Sequence, residues 1–202
     1  MVTAMDEIWI ELLNSDWHDF RSQGPAEDRL ESPQWVGEFL AQWRLPRPVV
    51  AAKSTRIGLS ELRSLLKRLV LTIAEGQRPH PDDLETLNAY LAAGPFHCRL
   101  QYMPEADRVY YLRMEPVREN LQTTLAHIAR SFAEVLVAGD PARIKLCENP
   151  DCRWVFYDRS RSRTRRWCEG ASGCGNLLKV RRFRERQKKK RGKLSSRSKR
   201  RD

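Results

Sequence analysis

Residues 147–190 read Cys147-ENPD-Cys152-RWVFYDRSRSRTRRW-Cys168-EGASG-Cys174-GNLLKVRRFRERQKKK. Two close pairs of cysteines stand on either side of a fifteen-residue loop, four thiols within 28 residues. Zinc takes four soft ligands at the corners of a tetrahedron, and two short loops that each bring two thiolates satisfy it once the chain folds back. The gaps of four and five residues are wider than the common two-residue knuckle, so spacing alone leaves other readings open. Disulfides suit the pairing but not a reducing compartment. A catalytic zinc usually keeps an open position and rarely uses four thiolates, and a redox switch is a further possibility. The segment also needs help to fold. Trp154, Val155, Phe156, Trp167, Val180 and Phe183 are little apolar mass for its length, and structural zinc supplies roughly 10–16 kcal/mol in small modules. The expectation is a structural Zn2+ held by Cys147, Cys152, Cys168 and Cys174.

Charge follows the cysteines. The 202-residue chain has 37 Lys+Arg against 26 Asp+Glu, a net of +11. Residues 1–146 carry 17 and 20, a net of −3, and residues 147–202 carry 20 and 6, a net of +14. A near-neutral body joined to so cationic an end points to a polyanion, and nucleic acid is the natural one. Gly175 is expected to let backbone approach the thiolates, and Asn176 to cap a helix from Leu177. Val180, Phe183 and Gln187 would dock that helix on the metal core, leaving Arg181, Arg184 and Lys188 on another face. Arg163, Arg165, Arg166, Arg181, Arg182 and Arg184 are the candidate DNA contacts, since an α-helix fits the major groove and Arg suits guanine edges. Some of them could instead pack on the thiolates or pair with the acidic body. An RNA- or ribosome-associated role is the alternative, with Trp154, Tyr157 and Trp167 as stacking platforms. Residues 191–202 read as a disordered basic tail.

The body, residues 1–140, reads as helical with one β-hairpin. Helices are expected at Met5–Leu13, from the Ser32–Pro33 cap through Trp43, along the Leu59–Ile73 stripe to Gly76, and from Pro81 to Gly94. Alternation over Cys98–Tyr102 and Val109–Met114 around a polar turn predicts the hairpin. Val117 to Leu136 predicts a long helix that stops at Gly139, and Asp140–Pro141 a short helical turn. Cys98 reads as a small buried hydrophobe. His18, His80, His97 and His127 show no ligand spacing, and no P-loop, dinucleotide fingerprint, nucleophile elbow or HExxH motif is present. The expectation is therefore not an enzyme. Asn14, in the Leu13-Asn14-Ser15 turn, is the one candidate ligand contact, with helix capping as the plainer alternative. No apolar run is long enough to cross a bilayer, and Asp6 and Glu7 stand where a secretory signal needs basic and apolar residues, so the expected compartment is cytoplasmic.

Cys147-ENPDC, the Trp154-VFYDRSRSRTRRWC run and Cys174-GN followed by Lys179-VRRFR resemble the CGNR zinc-finger family. These are bacterial proteins with an N-terminal ABATE domain, described as stress-induced transcription regulators. Glu11-LLNSD, the Ser32–Trp43 helix and the hairpin-then-helix order are similar too. The resemblance implies that the four cysteines bind zinc and that the chain is a DNA-binding transcriptional regulator, with a small-molecule effector or a homo-oligomer both compatible with the body. Two positions depart from the pattern: Leu177 replaces the Arg after Gly-Asn, and the Cys168–Cys174 gap is one residue longer. The expected architecture is α+β: an ABATE-like domain over 1–140, then a treble-cysteine-loop zinc module with its basic helix over 141–190.

Overall fold

The computed structural model describes residues 7–17, 27–45, 52–103, 110–168, 173–181, 183–184 and 186–187. Its order begins α1 (Ile8–Leu13), β1 (Asp16–Trp17), β2 (Glu27–Asp28), a 3-10 turn (Arg29–Glu31) and α2 (Pro33–Gln42). Then come α3 (Ala52–Ala74), α4 (Pro81–Ala93), β3 (Phe96–Tyr102), β4 (Tyr110–Pro116) and α5 (Leu121–Ala138). A second 3-10 turn (Pro141–Arg143) leads into β5 (Ile144–Leu146) and β6 (Val155–Tyr157). Helical residues resume at Cys174 and continue to Gln187, with 182 and 185 outside the description. The α+β expectation holds. The Met5 start and the 191–202 tail fall outside the described residues.

The helices begin where the side chains end the previous segment. The Ser32 hydroxyl accepts from Trp35 N, with Pro33 in the first turn, the pairing that satisfies an exposed N–H and pre-sets φ. His80 does the same for α4, its Nδ1 accepting from Asp82 N at 3.2 Å. α5 starts four residues later than Val117, because Asn120 takes the cap position and accepts from Thr123 N at 2.9 Å. Val117 itself extends the hairpin, bonding Pro95 O at 3.0 Å.

α1, α3 and α5 meet in one core. Trp9, Leu12, Leu62, Leu66, Leu69, Ile128 and Phe132 are fully buried there, and Trp9 lies edge-on to Phe132 with ring centroids 5.2 Å apart. Arg63 fastens the β1–β2 strand pair to α3, donating to both carboxylate oxygens of Asp28 (2.7 and 2.6 Å) and to Ser15 Oγ (2.8 Å). These bonds hold the Asp28 carboxyl below its ordinary range.

The hairpin β3–β4 pairs in strict antiparallel register from Phe96↔Pro116 to Tyr102↔Tyr110, longer at its base than the alternation predicts. At that base the hairpin meets the body, Phe96 lying against His127 and beneath Arg130. Cys98 is therefore exposed rather than buried, because the strands project past the helices that would have covered it.

The core does not stop at residue 140. β5 and β6 pair antiparallel (Ile144↔Tyr157, Leu146↔Val155), and strand side chains alternate between faces. Ile144, Val155 and Tyr157 belong to the body core, while Phe156, between the last two, belongs to the cysteine cluster. Asn14 closes the seam: its Nδ2 donates to Val155 O and its Oδ1 accepts from Val155 N, both at 2.9 Å. The Tyr157 hydroxyl accepts from Asp140 N at 3.0 Å.

The connection between α4 and β3 leaves no room for a side chain. A Cβ on Gly94 would lie 2.5 Å from Ala126 Cβ and 2.8 Å from Thr123 Cα, against the rigid backbone of α5. Gly94→Ala is expected to cost about 2–3 kcal/mol, read as a lowered denaturant midpoint at unchanged m-value. Gly37→Ala, where a Cβ meets nothing within 4 Å, should leave the midpoint unchanged or raise it.

Candidate metal centre

The sulfurs of Cys147, Cys152, Cys168 and Cys174 all lie within 4.8 Å of one another, and all four residues are buried. None is in a disulfide. Cys168 Sγ stands 3.6 Å from both Cys152 Sγ and Cys174 Sγ. A tetrahedron with metal–sulfur distances near 2.3 Å has edges of about 3.8 Å, so the donor set fits a tetrahedral dication.

The wide first gap closes through Asn149. Its carbonyl accepts from Cys152 N (2.9 Å) and Arg153 N (3.1 Å), and its Oδ1 from Asp151 N (3.3 Å). Arg153 takes a positive φ of 54° to turn the chain back. The backbone N–H of Asn149, two residues after Cys147, and that of Trp154, two after Cys152, donate to the preceding sulfurs. Asn149 Nδ2 also reaches Cys174 Sγ at 3.5 Å. The donors that reach sulfur favour thiolate.

Proton sharing among the sulfurs shows the same pressure. The Cys152 thiol, hydrogen-bonded to Cys147, draws Cys147 down to about 2. Cys152 itself is pushed far up for the same reason, and Cys168 up to about 11 by its bond to Cys147. One site becomes an anion at the expense of its neighbours, since like charges at this range resist joint ionisation. A bound dication lifts that conflict and lets all four ionise.

A second buried group shapes the arginine loop. Asp158 is fully buried, and burial alone would raise its pKa. Bonds from Ser160 Oγ (2.5 Å), Lys145 Nζ (2.9 Å), Ser160 N (2.9 Å) and Arg165 N (3.0 Å) outweigh that and hold it well below the usual carboxylate range. Lys145 also donates to Arg163 O, and Arg143 to the carbonyls of Asp158 (2.8 Å) and Ser160 (2.9 Å). The loop is thus fixed by Asp158 within it and by Arg143 and Lys145 at the start of β5.

The candidate arginines are mostly engaged within the protein. Arg163 pairs with Asp140 at 2.7 Å, Arg166 with Glu148 (Nε to Oε1, 2.6 Å) and Arg181 with Asp151 at 2.9 Å. All three side chains remain about half exposed. Arg165 is different: half-buried, it bonds Trp167 O at 2.9 Å and lies 4.5 Å over the Phe156 ring. Arg184 is exposed, and Arg182 lies outside the described residues.

Residues 143–187 match the family model of the CGNR zinc finger. Residues 6–139, two thirds of the chain, match that of ABATE, described as "putative stress-induced transcription regulator". The chain belongs to the ABATE family. Among the curated proteins nothing matches. Among the described residues of this ABATE chain, no helix is long and apolar enough to cross a membrane.

Within the CGNR finger several expectations change. Gly175 makes room for the Trp167 ring, which would lie 3.2 Å from a Cβ placed there. Asn176 lies inside the first helical turn, because the helix already starts at Cys174 and Asn176 N bonds Gly173 O at 2.9 Å. Leu177, at the eponymous arginine position, is half-buried. Val180 and Phe183 are exposed rather than docked: Phe156, Trp154 and Trp167 already pack on the cysteines. Of the three aromatic residues, Tyr157 is buried, and Trp154 and Trp167 are half-buried, packed against the cysteine cluster. Asn14 has its amide committed to Val155. Sequence reasoning passed over Asn149 and Asp158, although a lone acid inside an arginine run was a visible signal.

Two outcomes follow from the geometry. Cys168→Ser should remove metal binding and loosen the arginine loop and basic helix, while β5–β6 stays seated on the body. Tryptophan emission from Trp154 and Trp167 should shift red with the far-ultraviolet helix signal largely kept. Asp158→Asn should destabilise the protein by on the order of 3 kcal/mol at neutral pH. The wild-type carboxyl has a lowered folded pKa, so its contribution is present above about pH 4 and is lost as pH falls. The stability gap between wild type and variant should narrow on acidification.

Proposed function

We propose that this ABATE chain is a DNA-binding transcription regulator whose CGNR finger is built around a structural zinc held by Cys147, Cys152, Cys168 and Cys174. The observation that carries the reading is the buried cluster of four sulfurs from which both the arginine loop and the basic helix depart. Zinc, when bound, neutralises thiolate charge and fixes the two loops; the arginines do the recognising. On this reading the protein binds and does not catalyse, and it works in the cytoplasm.

Arg163, Arg166, Arg181, Arg182 and Arg184 form the contact set, and Arg165 positions the loop through Phe156 and Trp167. The internal carboxylate partners do not oppose this role. Exposed ion pairs are worth roughly 0–1 kcal/mol, whereas phosphate offers Arg a stronger, often bidentate, charge-assisted bond. Asp140, Glu148 and Asp151 hold the guanidinium groups near their working positions until phosphates replace them.

Fluorescence anisotropy of a labelled duplex across a salt series tests the proposal. For roughly 6–8 phosphate contacts the slope of log K against log salt should lie near −5 to −7. Arg184→Ala and Arg166→Ala should each lower its magnitude by about 1. Chelation of the metal should abolish tight binding. A slope near zero, affinity untouched by chelation, or displacement by structured RNA at far lower concentration than by duplex DNA would each overturn it.

A further inference from the structure

The hairpin β3–β4 carries an apolar face that nothing in the described chain covers. Strand pairing places Cys98 opposite Met114, Leu100 opposite Leu112 and Tyr102 opposite Tyr110. Because side chains alternate, these three pairs share one face, and His97, Arg99, Arg113 and Glu115 share the other. Leu100 is 64% exposed, Leu112 68%, Tyr102 61% and Tyr110 62%. Beyond the base at Phe96, the two strands pack chiefly on each other.

A lone two-stranded sheet is marginal in water and gains stability from further strands or a covering layer. From the exposed apolar face of this hairpin we infer that a second copy of the chain supplies that layer, the two hairpins stacking face to face about a two-fold axis. The face suits its own copy. It carries no charge, its central pairs are Leu with Leu and Tyr with Tyr, and a two-fold contact presents the same patch twice. Charge distribution directs association here as well. The face lies in residues 1–146, which net −3, whereas residues 147–202, carrying +14, repel their twin. The four large side chains expose on the order of 500 Å² per copy, more than half of the roughly 800 Å² per partner typical of a stable interface. Sheets packed this way lie about 10 Å apart with their inner side chains interleaved. The inference stands apart from DNA binding and from the identity of the metal.

Sedimentation of the full, metal-loaded chain under reducing conditions tests it, over a concentration series. The wild type should move from 23.6 kDa to twice that mass as concentration rises. The double variant Leu100→Lys, Leu112→Lys should raise the dimer Kd by at least about 100-fold, since like charges then face each other. Gln101→Lys, on the opposite face, should leave the Kd unchanged, and circular dichroism should confirm that both variants fold. A wild type that stays monomeric to its solubility limit assigns the face to some other partner and overturns the inference. So does a dimer that survives the Leu100/Leu112 pair, or one lost equally in Gln101→Lys.

Discussion

Four buried sulfurs within 4.8 Å of one another cannot all carry charge unless a cation sits among them. That constraint organises the C-terminal third. Without the cation one thiolate forms at its neighbours' expense; with it, all four ionise and the two cysteine loops are locked together. Phe156, Trp154 and Trp167 pack around the cluster, too few to hold the loops without it. The basic surface therefore depends on an electrostatic clamp more than on a hydrophobic core.

The clamp is not an appendage on a string. Three residues of one strand face two ways: Val155 and Tyr157 enter the body core, and Phe156 enters the cysteine cluster. Asn14 bonds both backbone groups of Val155. Displacement of α1 would be felt at β6 and hence at the cysteine cluster. The two family segments are thus mechanically continuous, and the body has a direct physical route to the arginine loop.

Much of this was legible in the residues. Ser32–Pro33, Pro81 and Gly139 mark helix ends because caps and φ-restricted residues act locally, and the Leu59–Ile73 stripe announces a buried helix by its period. The cysteine arithmetic pointed to one cluster for the same reason. Contacts across long sequence separations were not legible. Nothing local says that Asn14 meets Val155, 141 residues away, or that Trp167 fills the space beside Gly175. The short strands β5 and β6 were hidden too, since three residues carry no measurable period. Cys98 failed differently: alternation marks a strand but does not say whether anything lies over its apolar face. Charge counting found the arginines but not their carboxylate partners, which depend on how the turns fold.

X-ray absorption at the zinc edge of the purified 202-residue chain tests the central claim most directly. The account predicts one zinc per chain with a first shell of four sulfurs at about 2.3 Å. A protein without stoichiometric metal, or a shell in which oxygen or nitrogen replaces one or more sulfurs, would contradict it.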